Sequence, residues 1–187
     1  MVDGWVERPL GGVVRRTLPA LDDARGTFRE LWRDSWTSPL GTDPFVQSNI
    51  SRSRAGVLRG LHFHLRQADM WVVLEGSAHV SLVDIRGRMG GRTEPPLTFS
   101  EVLGPGEAIV IPEGVAHGLW ALEPVALLYL VTNEYDGTDE HGFAWNDPAA
   151  AAEWPTGQPI LSDRDRAAPS LAAAIAAAQG SGHTPSR

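Results

Sequence analysis

The stretch Gly56-Val-Leu-Arg-Gly-Leu-His-Phe-His-Leu-Arg-Gln-Ala-Asp-Met-Trp-Val-Val-Leu-Glu-Gly76 decides the fold of this chain. Its two apolar runs predict a pair of strands joined by a short turn. His62 and His64 are two residues apart, and residues two apart on a strand share a face. Asp69 opens the returning strand. We therefore expect two imidazoles and a carboxylate to lie close together.

A second stretch, Gly106-Glu-Ala-Ile-Val-Ile-Pro-Glu-Gly-Val-Ala-His117, ends on another histidine. In a closed barrel His117 would face the same interior. Together the two stretches resemble the two-part cupin signature, with aspartate where most metal-binding cupins carry glutamate. The resemblance implies an all-β cupin fold, a double-stranded β-helix or jelly-roll barrel. It also implies one divalent transition metal (Fe, Zn, Mn or Ni). The candidate ligands are His62, His64, Asp69 and His117; the alternative is that these histidines line a pocket without metal.

Composition narrows the class of protein. The 187 residues include 20 glycines and 14 prolines, and short strand-like runs recur between turn residues, which favours an all-β chain. We expect a single cupin domain over residues 1–178 with a short C-terminal helical segment, and a disordered tail over 179–187. The net charge of −7 argues against binding to nucleic acid.

Two further features concern location and chemistry. The N-terminus does not have the pattern of a signal peptide, and no apolar run is long enough to span a membrane. We therefore expect a cytoplasmic protein with no membrane partner. The chain has no cysteine, and all 16 of its basic residues are arginine. Disulfides, and a lysine acting as Schiff base or general base, are thereby excluded.

Several ordered stretches resemble the dTDP-4-dehydrorhamnose 3,5-epimerase family, cupins that act on nucleotide-linked 4-keto-6-deoxyhexoses. The similarity covers about residues 13 to 170 with consistent spacing. The matching stretches are Arg25–Glu30, Phe45–Ser51, Gly56–Phe63, Val83–Arg86, Ile111–Gly118, Tyr129–Tyr135, Trp145–Asp147, Glu153–Pro155 and Leu161–Asp165.

The resemblance implies a role for each matching position. His62 corresponds to the general base and Asp165 to its carboxylate partner. Tyr135 corresponds to the acid on the opposite face, and Tyr129 to a second tyrosine of the sugar pocket. The expected substrate-binding residues are Arg25, Phe28, Glu30, Gln47, Asn49, Arg59 and Arg164. Family members are usually homodimers that exchange an N-terminal strand, so Arg25 is expected to serve the neighbouring subunit.

Without the resemblance, three of these residues have simpler interpretations. Tyr129 lies in the apolar run Val125–Val131 and would be a core residue. Asp165 would be a helix N-terminal residue. Arg25, which precedes a glycine, would belong to a turn. Only the ordered match over the whole chain favours functional roles.

Two positions depart from the family pattern. His64 stands where the family usually has glutamine, and Asp69 stands where it has lysine. Family members are generally metal-free, and the two changes restore the metal-binding cupin pattern. A histidine nitrogen that holds a metal has no lone pair for a proton, so one nitrogen of His62 cannot serve as both ligand and base.

Three hypotheses follow. The first is an isomerase that epimerises C3 and/or C5 of a nucleotide-diphospho-4-keto-6-deoxyhexose by removing a proton beside the ketone, with or without a metal. The second is a metal-dependent cupin enzyme of another class, an oxygenase, lyase or cyclase, on an epimerase-derived scaffold. The third is a module that binds a sugar or nucleotide without catalysis.

Overall fold

The computed structural model describes residues 4–36, 41 and 43–180. Antiparallel strands make up most of the regular secondary structure in the described residues, as predicted. They are β1 (Val6–Glu7), β2 (Val14–Thr17), β3 (Ala20–Asp23), β4 (Gly26–Arg29), β5 (Gln47–Ser53), β6 (Leu58–Phe63), β7 (Asp69–Glu75), β8 (Ala78–Asp84), β9 (Leu97–Leu103), β10 (Glu107–Ile111), β11 (Val115–Ala121), β12 (Val125–Val131) and β13 (His141–Gly142).

Two sheets face each other across the main core. One has the order β1-β2-β10-β7-β12-β5, and the other has the order β13-β6-β11-β8-β9. The non-consecutive neighbours and antiparallel pairing confirm the predicted all-β jelly-roll. Apolar side chains from both sheets form one buried cluster that includes Val73, Val80, Leu82, Ile109, Leu119 and Leu127. This cluster fixes the spacing of the sheets, and the polar cavity described below lies beside it.

Strand burial follows the position of each strand in its sheet. The central strand β11 is buried along its whole length, as expected for a strand with neighbours on both sides and apolar layers on both faces. The edge strand β5, Gln-Ser-Asn-Ile-Ser-Arg-Ser, alternates between half-buried and exposed residues. Its polar sequence is therefore compatible with a strand because only one face needs burial.

In the part of the chain that the structure describes, a 3-10 helix spans Asp34–Trp36 and three short α-helices pack outside the sheets. They are α1 (Arg86–Met89), α2 (Asp163–Arg166) and α3 (Leu171–Gly180). Leu171, Ala174 and Ala178 of α3 are buried in a second core beside Phe143, which fits the predicted C-terminal helical segment. No helix in the described ranges has the length and apolar character needed to cross a membrane.

The predicted boundary of the tail is wrong by two residues. Gln179 and Gly180 belong to α3, because the Gln179 side chain donates a hydrogen bond of 2.8 Å to the Met89 carbonyl and so ties the last turn to α1. The rest of the predicted tail, 181–187, lies outside the described residues.

The β3–β4 hairpin forms a separate two-stranded sheet. All of its residues except Arg29 are exposed, including the large side chains of Leu21 and Phe28, each 66% exposed. The apolar side chains therefore lack the burial that a hairpin normally needs for stability.

The tight turn after β7 gives a test of the fold. Gly76 has φ +75, and a Cβ atom there would overlap the carbonyl oxygen of Pro124. We expect Gly76→Ala to lower the free energy of unfolding in urea by about 3 kcal/mol, since left-handed backbone strain and a backbone clash add. Gly91 is the matched control, because it has φ +84 with nothing near its Cβ position. Gly91→Ala should cost only about 1 kcal/mol, and equal losses would contradict the clash.

Candidate active site

A cavity of about 440 Å³ opens beside the main core. It collects most of the charged and polar side chains that the sequence singled out from both halves of the chain. The lining residues are Ser51, Arg59, His62, His64, Gln67, Asp69, Trp71, His117, Leu119, Leu127, Tyr129, Glu140, Ser162, Arg164 and Asp165. The volume is in the range of cavities that hold small molecules.

His62 and Asp165 form a hydrogen-bonded pair in this cavity. The His62 Nε2 atom of β6 lies 2.7 Å from Oδ1 of Asp165. Asp165 is 6% exposed and lies in the helix α2, whose N-cap is Ser162. The Ser162 hydroxyl donates to the other carboxylate oxygen at 2.8 Å. A capping interaction that starts the helix thus also holds the carboxylate against His62.

The environment of Asp165 keeps it ionised. Burial, the largest single effect, would raise the pKa of the carboxyl group, but hydrogen bonds from the His62 and Ser162 side chains and from the Gly60 backbone outweigh it. The resulting pKa is lower than usual. An ionised carboxylate accepts the Nε2 proton of His62, which leaves the lone pair on Nδ1. The pair therefore presents a histidine whose tautomer suits proton abstraction.

A second cluster lies in the same cavity. His64, Asp69 and His117 are all buried, and one ligand atom from each lies within 4.8 Å of the others. The Nδ1 atom of His64 is 2.6 Å from the Asp139 carbonyl, and that of His117 is 3.1 Å from the Val115 carbonyl. A carbonyl oxygen only accepts, so each Nδ1 carries a proton, and in the neutral form of each ring Nε2 has the lone pair.

Asp69 is 4% exposed. Gln67 donates to its Oδ1 at 2.8 Å and the Trp71 indole to its Oδ2 at 3.2 Å. The nearest basic nitrogen is Nε2 of His117, 3.7 Å from Oδ2. Burial lowers the pKa of His117 to about 4, against the opposing effect of Asp69, and the neighbouring histidines add to the lowering. His117 is therefore neutral at neutral pH.

Tyr129 and two arginines complete the cavity wall. Tyr129 lies on β12 opposite Trp71 of β7. Burial, and then the charges of Asp69 and Glu140, raise the pKa of its phenol, so it stays protonated.

The two arginines are held by neighbouring groups. Arg59 donates to the Ser53 hydroxyl at 2.9 Å, and Arg164 to Glu140 at 3.1 Å. Both guanidinium groups line the cavity.

Four residues expected at the site lie away from the cavity in the single chain. Tyr135 is 69% exposed in the loop after β12, and its backbone N–H donates to Gln47. Arg25 and Phe28 are exposed on the β3–β4 hairpin, where Arg25 pairs with Asp23. Glu30, just after the hairpin, pairs with Arg33. None of the four lines the cavity that contains His62 in the single chain.

Gln47 and Asn49 lie at the margin of the cavity. They share one face of β5 with Ser51, which lines the cavity, and the Gln47 amide donates to Asn49 at 3.1 Å. Both are half-buried. They extend the polar wall toward the edge of the sheet.

The four candidate metal ligands divide into two groups. His64, Asp69 and His117 cluster together, whereas Nε2 of His62 is engaged by Asp165. His62 lies directly opposite His117 in the pairing of β6 with β11, so it stays in the cavity. Its hydrogen bond turns that nitrogen toward α2 rather than toward the cluster.

Sequence reasoning missed several cavity residues. Ser162 could have been found, because a serine three residues before Asp165 is an N-cap signal. Gln67 could also have been found, because it is two residues from Asp69 and residues two apart on a strand share a face. Asp139 and Glu140 follow a long irregular loop, and no local pattern predicts that Asp139 reaches Leu65 and Arg66, whose N–H groups it accepts.

The chain is similar over most of its length to proteins of one known family. The sequence model of the dTDP-4-dehydrorhamnose 3,5-epimerase family matches residues 7–173. The enzyme of that name from Streptomyces griseus is 37% identical over 160 residues, 82% of this chain and 79% of the relative. A dTDP-4-dehydrorhamnose 3-epimerase from Streptomyces niveus is 35% identical over 176 residues, 89% of this chain and 84% of the relative.

A solved structure shows the same architecture. It is the dTDP-6-deoxy-D-glucose-3,5-epimerase of Legionella pneumophila in complex with dTDP-4-keto-L-rhamnose, which superposes with a TM-score of 0.80 at 32% identity. The match covers 90% of this chain and 93% of that one. These similarities extend over nearly the whole barrel and confirm the predicted cupin fold. The chain belongs to the dTDP-4-dehydrorhamnose 3,5-epimerase family.

Proposed function

We propose that this enzyme is an isomerase that epimerises a nucleotide-diphospho-4-keto-6-deoxyhexose at a carbon next to the ketone. The observation that carries the proposal is the 2.7 Å pair of His62 and Asp165 in the cavity. Family membership supplies the class of substrate, since the Legionella relative was solved with a dTDP-linked 4-keto sugar.

The chemistry requires a base and an acid on opposite faces of the sugar. A proton beside a ketone is acidic because the carbanion delocalises onto the carbonyl oxygen. His62 lies on the five-stranded sheet and Tyr129 on the six-stranded sheet, and both line the cavity. A sugar between the sheets would therefore meet the base on one side and a protonated phenol on the other.

The proposed reaction has two proton transfers. Nδ1 of His62 takes the proton from the carbon next to the ketone, and the C–H electron pair moves to give an enolate. The imidazolium that forms is stabilised by the Asp165 carboxylate. The Tyr129 phenol then gives its proton to the same carbon from the other face, which inverts it and restores the ketone. Exchange with solvent returns both side chains to their starting states.

The remaining polar groups suit a diphosphate. Arg59 and Arg164 line the cavity, and guanidinium groups bind phosphate oxygens in a bidentate manner. We assign these two residues to the diphosphate and the Gln47–Asn49 edge to the nucleotide. Binding of this remote part of the substrate would position the sugar for the reaction.

A homodimer is part of the proposal. The β3–β4 hairpin exposes Leu21 and Phe28, each 66% exposed, together with Arg25. A second copy of the chain would cover these apolar groups and receive Arg25, Phe28 and Glu30 at its own site. We also propose that the enzyme acts in the cytoplasm, where nucleotide-diphospho sugars are made.

Solvent isotope uptake tests the function directly. In D₂O with dTDP-4-keto-6-deoxy-D-glucose, we expect deuterium at C3, at C5 or at both, because the enolate is reprotonated by groups that exchange with solvent. Mass spectrometry would count the deuterium, and proton NMR would locate it. dTDP-glucose is the matched control, since without a ketone its ring protons are not acidic. Folded protein that gives no exchange with the keto sugar would refute the proposal.

A further inference from the structure

We propose that His64, Asp69 and His117 form a binding site for one divalent transition metal within the cavity. The site itself does not depend on the reaction proposed above, although its role in catalysis rests on that proposal.

The spacing of the three side chains suits a common ion. One ligand atom from each lies within 4.8 Å of the others, and Nε2 of His117 is 3.7 Å from Oδ2 of Asp69. Two ligand atoms that are each about 2.1 Å from one ion lie roughly 3–4 Å apart. The observed separation of this pair is therefore already that of two neighbouring ligands.

The two imidazoles are oriented as metal ligands usually are. Each donates its Nδ1–H to a backbone carbonyl, His64 to Asp139 at 2.6 Å and His117 to Val115 at 3.1 Å. Such carbonyl partners fix the tautomer and the ring orientation of ligating histidines. The lone pairs on both Nε2 atoms are thus left free for an ion.

Asp69 gives an independent reason for a cation. A carboxylate that is 4% exposed is costly to bury unless a positive group or metal ion compensates it. In the described ranges it forms no ion pair with an arginine, and its two protein donors are neutral groups of Gln67 and Trp71. A divalent ion between Asp69 and the imidazoles would compensate this charge.

The ligand set defines the class of metal. Two imidazole nitrogens and one carboxylate oxygen suit Fe²⁺, Mn²⁺, Zn²⁺, Ni²⁺ or Co²⁺ and leave coordination positions open for solvent or substrate. All three residues line the same cavity as His62 and Tyr129. A bound ion would supply Lewis-acid polarisation of the ketone oxygen, in a chain that contains no lysine.

The test is metal stoichiometry measured on tag-free protein. After removal of metals with a chelator, the protein is titrated with Zn²⁺ or Mn²⁺ by calorimetry. The metal content of the protein after gel filtration is then measured by mass spectrometry. We expect about one equivalent for wild type, since the three ligands share one ion. His64→Gln and Asp69→Asn should lose it. His79→Gln is the matched control and should retain it, because His79 bonds the Glu153 carbonyl away from the cavity.

A milder variant separates metal binding from folding. Trp71→Phe keeps an aromatic ring but removes the indole donor to Asp69. Loss of such a supporting hydrogen bond should weaken the metal affinity by about 10- to 100-fold while the protein stays folded. The proposal is overturned if wild type binds no metal, or if His64→Gln and Asp69→Asn bind as tightly as wild type.

The metal result is also distinguishable from the outcome for the reaction. His62→Asn should bind about one equivalent, as wild type does, because the Nε2 atom of His62 is bonded to Asp165 and not directed at the cluster. Metal binding without deuterium exchange would leave the site intact and refute only the proposed reaction. Deuterium exchange by a wild-type protein that binds no metal would instead refute the metal site and leave the proposed reaction intact.

Discussion

His62→Asn is expected to reduce kcat for epimerisation by about 10³- to 10⁴-fold, which corresponds to about 4–5.5 kcal/mol of transition-state stabilisation. Among the described residues that line the cavity, His62 is the one histidine whose ring is hydrogen-bonded to a carboxylate. The His62 Nε2 atom is held by an ionised carboxylate at 2.7 Å, which leaves Nδ1 as a proton acceptor within the cavity. Asparagine is close in size but cannot accept a proton at neutral pH.

Deuterium exchange gives the clearest measurement for this variant. Exchange at each carbon should fall as strongly as product formation, since both require the same proton abstraction. KM should change little, because His62 is expected to act on the reacting carbon rather than on the diphosphate. His79→Asn is the control for the loss of a strand histidine outside the cavity, and its activity should equal that of wild type.

Retention of exchange would point to another base. If His62→Asn kept more than about a tenth of the wild-type exchange rate, the proton would have to move through a different group. Circular dichroism and the unfolding midpoint would show whether the variant is folded. We expect His62→Asn to bind as much metal as wild type. Loss of exchange with the metal still bound would show that His62 acts as a base and not as a metal ligand.

How far the sequence predicts this structure depends on the range of each interaction. The existence of the strands follows from short-range patterns, because alternation and turn residues fix them locally. The expected pairing of β6 with β7 and of β10 with β11 is wrong, since the members of each pair lie in different sheets. The jelly-roll order of strands came from the resemblance to cupins. No local pattern could pair β7 with both β10 and β12.

The family resemblance, and no local pattern, separated the roles of the two histidines. His62 and His64 have equivalent positions in a His-x-His stretch. They differ because His62 meets Asp165, which is 103 residues away, whereas His64 meets the carbonyl of Asp139. Asp165 lies in the short helix α2 and Asp139 in a loop, and long-range packing sets the positions of both segments. The same limit applies to Tyr135, whose family position suggested a place at the site but whose loop leaves it exposed.

The family comparisons favour the epimerase over the alternative of a different metal-dependent enzyme. The Streptomyces griseus and Streptomyces niveus relatives are named 3,5-epimerase and 3-epimerase, and they resemble this chain over most of its length. A metal at His64, Asp69 and His117 would therefore serve the same type of reaction. The His62–Asp165 pair remains free to act as the base, so a metal ligand set and a proton acceptor can coexist in one cavity.

Asp165→Asn is expected to lower kcat by about 10³-fold, somewhat less than His62→Asn, since the base itself remains. An asparagine oxygen can still accept the Nε2 proton of His62 and preserve its tautomer. It lacks the negative charge that stabilises the imidazolium formed when the proton is taken. Substrate affinity should be nearly unchanged, because Asp165 carries a buried charge behind His62 rather than a contact with the diphosphate.

Asp163→Asn is the matched control for this change. Asp163 lies in the same short helix two residues earlier, but its side chain is fully exposed and pairs only with Arg166. Its loss should leave kcat within about twofold of wild type, as for most surface substitutions that cost little free energy. If the two variants were equally active, the carboxylate behind His62 would have no part in the reaction.

Acid unfolding offers a second readout for Asp165. Because the pKa of Asp165 is lower in the folded chain than its ordinary value, the unfolded chain binds the proton first as the pH falls. The stabilisation from the ionised carboxylate is complete above about pH 4 and disappears as the pH drops through the lowered native pKa. Asp165→Asn should remove this part of the acid dependence, whereas Asp163→Asn should keep it. An unchanged acid profile in Asp165→Asn would mean that the hydrogen bonds from His62 and Ser162 do not favour the ionised form of the Asp165 carboxyl group. The proposed stabilisation of the His62 imidazolium would then lose its basis.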